Sequence, residues 1–248
     1  MPNLHELNQR IARNYAALER QGTVLTYRHD AGGWLARMRE VMADRGEAGP
    51  LSISPMYDPE HSAVGPDNFF WIEVMRQGRL AGLVCTRLFE TADFPALARS
   101  WRLWWDRPPR VPSRPIGLAA DPRLAGIRGR IAFDGGYWIA PEHRGGPITA
   151  HLLALLADLA QRNLEADWRV AMVRRGDPTR LARFRQNLLY DEQIPFIDEF
   201  YPPSGKAQAY DLFAARLAAL RDDAASRTPT ASGPASAGHP SRRRVAAG

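Results

Sequence analysis

The sequence predicts an α/β (α+β) domain in which a mixed, mostly antiparallel central sheet is flanked by helices. Three observations carry this expectation. Two apolar runs, Phe69 to Met75 and Leu80 to Leu88, flank Arg76-Gln77-Gly78-Arg79, where the glycine supplies a positive-φ position for a β-hairpin. Gly129 to Ile139 reads as a strand that turns through a proline bend into a leucine-rich helix, with a second short apolar strand beyond it. Leu4, Leu7, Ile11, Tyr15 and Leu18 recur at spacings of three and four, one face of an amphipathic helix.

In chain order, the first helix covers residues 4 to 20 and ends at Gly22. Thr23 to Tyr27 reads as a strand from its β-branched and aromatic content, and Trp34 to Ala43 as a helix. Prolines 50, 55, 59 and 66 make residues 49 to 68 mostly loop with room for a short helix. After the hairpin, residues 91 to 128 read as an insertion, with a helix from Phe94 to Trp105 and then a proline-rich loop. Pro147 to Asn163 is a helix with Leu152, Leu155, Leu156 and Leu159 on one side. Trp168 to Val173 is a strand, Thr179 to Leu189 a helix and Ile194 to Tyr201 a strand, and residues 207 to 221 run from strand into helix. Residues 1 to 222 are expected to form one domain. From Ala224 onward Val245 is the only large apolar residue, so 223 to 248 are expected to be a disordered tail rich in Arg, Ala, Pro and Ser.

Composition narrows the function classes. The formal charge is +6, but residues 223 to 248 carry a net +3, so the part expected to fold is only mildly basic. A nucleic-acid partner is therefore not expected. No apolar run approaches the roughly 20 residues of a membrane helix, and no basic-then-apolar leader is visible, so a cytoplasmic protein without membrane contact is expected. The single cysteine, Cys85, lies in an apolar strand and reads as core. The histidines show no ligand spacing, and no metal is expected. Neither a Gly-x-Ser-x-Gly elbow nor a P-loop occurs.

The informative stretch is Tyr137-Trp138-Ile139-Ala140-Pro141-Glu142-His143-Arg144-Gly145-Gly146-Pro147-Ile148-Thr149. An apolar strand, a bend, a glycine pair and a helix start make an anion site. The helix N-terminus offers N–H groups and a partial positive charge, and glycines let phosphate approach the backbone. Arg144 adds a cation.

The order of these residues resembles the signature of the GNAT superfamily of acyl-CoA N-acyltransferases. In that family a Val-x-Pro strand end leads to an Arg-Gly-x-Gly-x-Gly/Ala loop and a leucine-rich helix. Ile139-Ala140-Pro141 stands for the strand end and Arg144-Gly145-Gly146-Pro147-Ile148-Thr149 for the loop. The resemblance is specific over 137 to 160 and looser over 23 to 216. It implies a sheet splayed at its middle strands and acyl transfer from acetyl-CoA or another acyl-CoA to a small-molecule or peptide amine. Backbone around Trp138, Ile139 and Ala140 would pair with the pantetheine arm, and Arg144, Gly145, Gly146, Ile148 and Thr149 would hold the pyrophosphate. It further implies a general base on the strand before the bend, with Asp134 first, Glu73 second and Glu142 third. The general acid for the departing thiolate would be Tyr190.

Other readings stand beside these. Asp134 before two glycines is also a turn former, and Tyr190 also a packing residue at a helix end. Pro147 stands where the family has glycine and offers no N–H, while Thr149 adds a hydroxyl suited to phosphate. Loss of that donor favours a second function: a catalytically inactive GNAT-like acyl-CoA-binding or regulatory module. Trp101, Trp104 and Trp105 fit core packing, a homodimer interface or a substrate lid.

Overall fold

A computed structural model describes residues 3–44, 53–109, 116–176 and 190–217. The helix expected over 179 to 189 and the tail from 223 lie outside the described residues. Helix α1 (Leu4–Arg20) begins with a capping box, Asn3 accepting from the Glu6 N–H while Glu6 accepts from that of Asn3. Strand β1 (Thr23–Arg28), helix α2 (Ala31–Asp44), a single 3₁₀ turn (Pro55–Tyr57), and strands β2 (Phe69–Arg76) and β3 (Arg79–Thr91) follow. Gln77 and Gly78 both take positive φ (51° and 74°), the two-residue turn that matches the twist of a hairpin. After helix α3 (Phe94–Arg99) come β4 (Gly129–Ile139), α4 (Pro147–Asn163), β5 (Trp168–Arg174), β6 (Glu192–Ile197), β7 (Phe200–Tyr201), β8 (Lys206–Ala207) and β9 (Tyr210–Arg216).

Seven strands form one sheet in the order β1-β2-β3-β4-β5-β9-β6, and β7 pairs with β8 apart from it. Every neighbouring pair in the large sheet is antiparallel except β4 with β5. That pair registers only from Ile131↔Trp168 to Asp134↔Ala171, although β4 runs on to Ile139 and β5 to Arg174. Beyond Asp134 the two strands part. The mixed sheet, mostly antiparallel and splayed at its middle, is the fold class the sequence predicts.

Apolar positions divide between two faces. Leu7, Ile11 and Leu18 of α1 and Leu152, Leu155, Leu156 and Leu159 of α4 cover one face, against Phe70, Ile72, Val84 and Ala132. Arg10 to Asp158, 2.9 Å, ties α1 to α4 at the rim. The opposite face is aromatic: Trp34, Tyr57, Phe69, Phe89, Phe133 and Phe196 form its centre.

The insertion completes that second core. Trp101, Trp104 and Trp105 are 3%, 0% and 8% exposed, which selects core packing over the lid and interface alternatives. The expected helix over Phe94 to Trp105 stops at Arg99, because Trp101 turns left-handed (φ 64°) and swings its ring toward Trp105 and Phe200. Buried Arg87 of β3 anchors the insertion, donating to Met56 O (2.7 Å) and to Asp106 Oδ1 (2.9 Å). The strand expected over Ile194 to Tyr201 is two: β6 leaves the large sheet after Ile197, and β7 turns to β8.

Candidate functional site

The splay breaks the sheet's hydrogen bonding between β4 and β5 past Asp134↔Ala171. At its apex Asp134 pairs with Arg169, each fully buried. Tyr190 donates to Asp134 Oδ2 at 2.7 Å, and the Tyr137 and Tyr190 hydroxyls lie 3.3 Å apart. The Arg169 guanidinium also stands over the Tyr190 ring, 4.7 Å from its centre. Alternation along β4 and β5 puts these groups on the α4 face of the sheet.

Burial decides how this quartet behaves. Desolvation raises the pKa of Tyr190 well above the ordinary tyrosine value, and raises that of Tyr137 in the same way. Both phenols therefore carry protons throughout the neutral range. Burial works against the Arg169 charge, yet the Asp134 carboxylate outweighs it and holds the guanidinium ionised. Asp134 Oδ1 and the two terminal nitrogens of Arg169 find no hydrogen-bond partner of acceptable geometry. Polar atoms buried in that way suit a small polar group or water reaching the apex.

Sequence reasoning brought Asp134 and Tyr190 forward as base and acid, and the structure places them in direct contact. Asp134 faces Arg169 and Tyr190 at the apex. Its Oδ2 is held by a guanidinium and a phenol inside the protein, so its negative charge is already compensated. Glu73 is also engaged, bonded to Arg37 Nε at 2.7 Å, and Glu142 is exposed on the turn after β4. Arg169 and Tyr137 were missed. The available signal was a lone arginine inside the apolar run Trp168-Arg169-Val170-Ala171, which needs a buried partner.

At the open end of the splay, a 3₁₀ turn (Pro141–His143) leads to the glycine pair. Gly145 has φ 72°, a conformation that side chains resist, and Gly146 caps α4. Among the described residues no backbone acceptor takes the N–H of Gly145, Ile148 or Thr149. These three donors lie at the positive end of a 17-residue helix. The Gly146 N–H, by contrast, is used on His143 O at 3.3 Å.

Two side chains behave differently from expectation. Thr149 donates to His143 O at 2.8 Å and is 8% exposed, so it braces the loop instead of facing a phosphate. Arg144 Nε donates to Ile139 O at 3.0 Å, bridging the mouth of the splay. Ala140 is turned away, its N–H bonded to Ala81 O of the strand-side neighbour, and Trp138 lies opposite Leu83. By the alternation of an antiparallel pair, Ile139 turns its own backbone groups toward the splay.

The two described clefts, of about 560 and 510 Å³, lie elsewhere, beside Gly129 and between α1 and α4. The splay is the better candidate because, among the described residues, it places N–H groups without a backbone partner beside a strand that leads to buried ionisable groups. Asp58, Glu60 and His61 approach within 4.8 Å of one another near the insertion. Asp58 there already accepts from the Glu60 N–H at 2.9 Å.

No family model matches the chain, and no curated protein matches it in sequence. In fold it is similar to Arabidopsis thaliana NAA60 in complex with acetyl-CoA, at 11% identity and TM-score 0.48, over 78% of this chain and 100% of that one. A. thaliana Naa50 with a bisubstrate analogue gives 10% identity and TM-score 0.46, over 79% and 99% of the two chains. The spermidine/spermine N-acetyltransferase SpeG from Vibrio cholerae gives 14% and 0.43, over 79% and 94%. Among the described residues no helix is long and apolar enough to cross a membrane.

Proposed function

We propose that this chain is a divergent GNAT acyltransferase that moves an acyl group from an acyl-CoA to a small-molecule or peptide amine. One observation carries the reading: β4 and β5 part just past Asp134↔Ala171, with N–H groups lacking a backbone acceptor at the α4 N-terminus and protonated tyrosines at the apex. Nothing in an ordinary α/β sheet requires that combination.

The residues divide the work. Gly145, Ile148 and Thr149 present backbone N–H groups to the pyrophosphate, and Arg144 adds charge there. Ile139, with Trp138 behind it, offers the strand edge along which the pantetheine arm pairs. Transfer forms a C–N bond as the amine attacks the thioester carbonyl carbon, and breaks the C–S bond. The departing thiolate takes a proton from Tyr190, whose hydroxyl burial keeps protonated and whose position Asp134 and Tyr137 fix. Asp134 is a positioning residue in this scheme, with Arg169 holding it in place. Among the described residues no carboxylate stands free as the base, so the amine attacks in its neutral form, the proton its nitrogen sheds on C–N bond formation goes to water, and Tyr190 regains its own proton from water.

Titrating the protein with acetyl-CoA and free CoA by calorimetry tests the donor site. Thiol release with a panel of amines then tests turnover. Binding without release under any amine supports the second reading, an acyl-CoA-binding module without catalysis. Two observations favour that alternative. Pro147 lacks a donor where one is expected, and the Tyr190 hydroxyl is engaged as a hydrogen-bond donor to Asp134.

A further inference from the structure

We propose that the cleft between α1 and α4 is a docking site for an acidic peptide segment of a partner protein, with Arg13 and Arg20 taking two of its carboxylates. The cleft encloses about 510 Å³. Its lining shares no residue with the apex or the glycine loop, so it stands apart from the acyl-transfer reading.

Charge is the first observation. Three guanidinium groups line the cleft from α1, those of Arg10, Arg13 and Arg20. Spacings of three and seven residues place them on one side of a helix with 3.6 residues per turn. Arg10 is matched, because it donates to Asp158 at 2.9 Å and to Gln161 Oε1 at 3.3 Å. Arg13 and Arg20 are exposed, and among the described residues no carboxylate pairs with either. The helix offers none. Positions three and four away from Arg13 hold Gln9, Arg10, Ala16 and Ala17, and those before Arg20 hold Ala16 and Ala17. Arg10 and Arg13, like charges three apart, work against the helix by themselves. The carboxylate that lines the cleft, Asp158, is engaged by Arg10 and by Asn14 Nδ2 at 3.4 Å, so two cations there are left uncompensated.

Shape is the second. Ala16 and Ala17 of α1 and Ala154 of α4 have side chains too short to fill the space between the helices, which leaves an apolar floor. His151 Nδ1 and Asn14 Oδ1 are 3.1 Å apart, and Asn14 in turn reaches Asp158, so hydrogen bonds across the two helices fix this part of the wall. Arg13 and Arg20 stand about 10.5 Å apart along α1. In an extended peptide with three residues per turn and a rise of about 3.1 Å, residues three apart lie on one side at about 9 Å. Acidic side chains at two such positions reach both arginines, each carboxylate meeting a planar guanidinium in two parallel bonds. Small residues between them cover the alanines. A chain of phosphates would instead lay charge on that apolar floor.

Fluorescence anisotropy with full-length protein at about 0.15 M salt tests this. The probes are labelled peptides built on Glu-Ala-Ala-Glu, Gln-Ala-Ala-Gln and Lys-Ala-Ala-Lys, with inorganic tripolyphosphate as a competitor. The Glu peptide should bind saturably, and the Gln peptide about tenfold more weakly. Arg13→Gln with Arg20→Gln should weaken the Glu peptide about tenfold, the scale of losing two exposed charge pairs. Arg79→Gln with Arg102→Gln, off the cleft, should leave it unchanged. Arg13→Glu with Arg20→Glu should reverse the preference toward the Lys peptide. All four positions are exposed, so these variants keep the fold, which circular dichroism checks. Absence of saturable binding by the Glu peptide overturns the proposal, as does equal weakening by the two Gln pairs. Tripolyphosphate that displaces the Glu peptide at a lower concentration than unlabelled Glu peptide does also overturns it, in favour of a phosphate ligand.

Discussion

Asp134 and Arg169, 35 residues apart in the chain, form a fully buried ion pair that clasps β4 to β5 at the last rung the two strands share. A pair so placed is costly to break from one side only. Asp134→Asn should leave an uncompensated guanidinium and lower unfolding free energy by about 3–5 kcal/mol in urea denaturation. The double change Asp134→Leu with Arg169→Met should recover most of that loss. Equal stability of Asp134→Asn and wild type would mean the pair is not buried in solution.

Tyr190→Phe keeps the ring under Arg169 and removes the hydroxyl. If Tyr190 supplies the proton, thiol release should slow by about a hundredfold while the acetyl-CoA dissociation constant stays within about threefold. A rise in the dissociation constant with unchanged turnover would assign the residue to binding.

Burial raises the pKa of Tyr57, Tyr137 and Tyr190, so the native state holds protons that the unfolded chain releases near the ordinary value of 10.0. The contribution is fully present below pH 10 and is lost as pH rises toward the native values. Tyrosinate absorbance should appear in two steps, the second coinciding with loss of the folded circular-dichroism signal. Ionisation of all tyrosines before unfolding would contradict the buried quartet.

Gly145 takes φ 72° with open space where a Cβ would go. Gly145→Ala therefore meets no clash, and its cost is conformational. The loop should relax in the free protein and have to be restored on binding, raising the CoA dissociation constant about tenfold with little change in melting temperature. A large fall in melting temperature with unchanged affinity would remove the loop from the donor site.

Gly136→Ala should be far worse for the fold. It combines a left-handed φ of 56° with a contact to Trp34, and about 2–4 kcal/mol of stability should be lost in urea denaturation. Retained wild-type stability would mean that Trp34 does not rest on β4.

Local periodicity made α1, β4 and α4 legible to the residue, because each has a regular apolar pattern and a glycine or proline at its boundary. The glycine pair that leads into α4 was legible for the same reason. What could not be read was anything that depends on which strands become neighbours. Arg169 is a lone charge in an apolar strand until β4 is laid parallel to β5, and only then does Asp134 become its partner. Tyr57 lay in a proline-rich stretch with no periodicity, and nothing local says that its ring covers Gly135. The Trp101 turn was missed because three tryptophans near helical spacing look like one face of a helix until a left-handed residue breaks it.

The four-residue register between β4 and β5 also has a mechanical meaning. β3 and β4 are joined from Gly82↔Ile139 to Thr91↔Gly129, and β5 and β9 along all of β5, so the sheet consists of two stiff leaves sewn together by four rungs. A crack in a solid grows from its tip, and here the tip is closed by a salt bridge. Whatever molecule fills the gap becomes the missing length of the seam, and the amides of Ile131 to Asp134 should exchange more slowly with deuterium once it is in place.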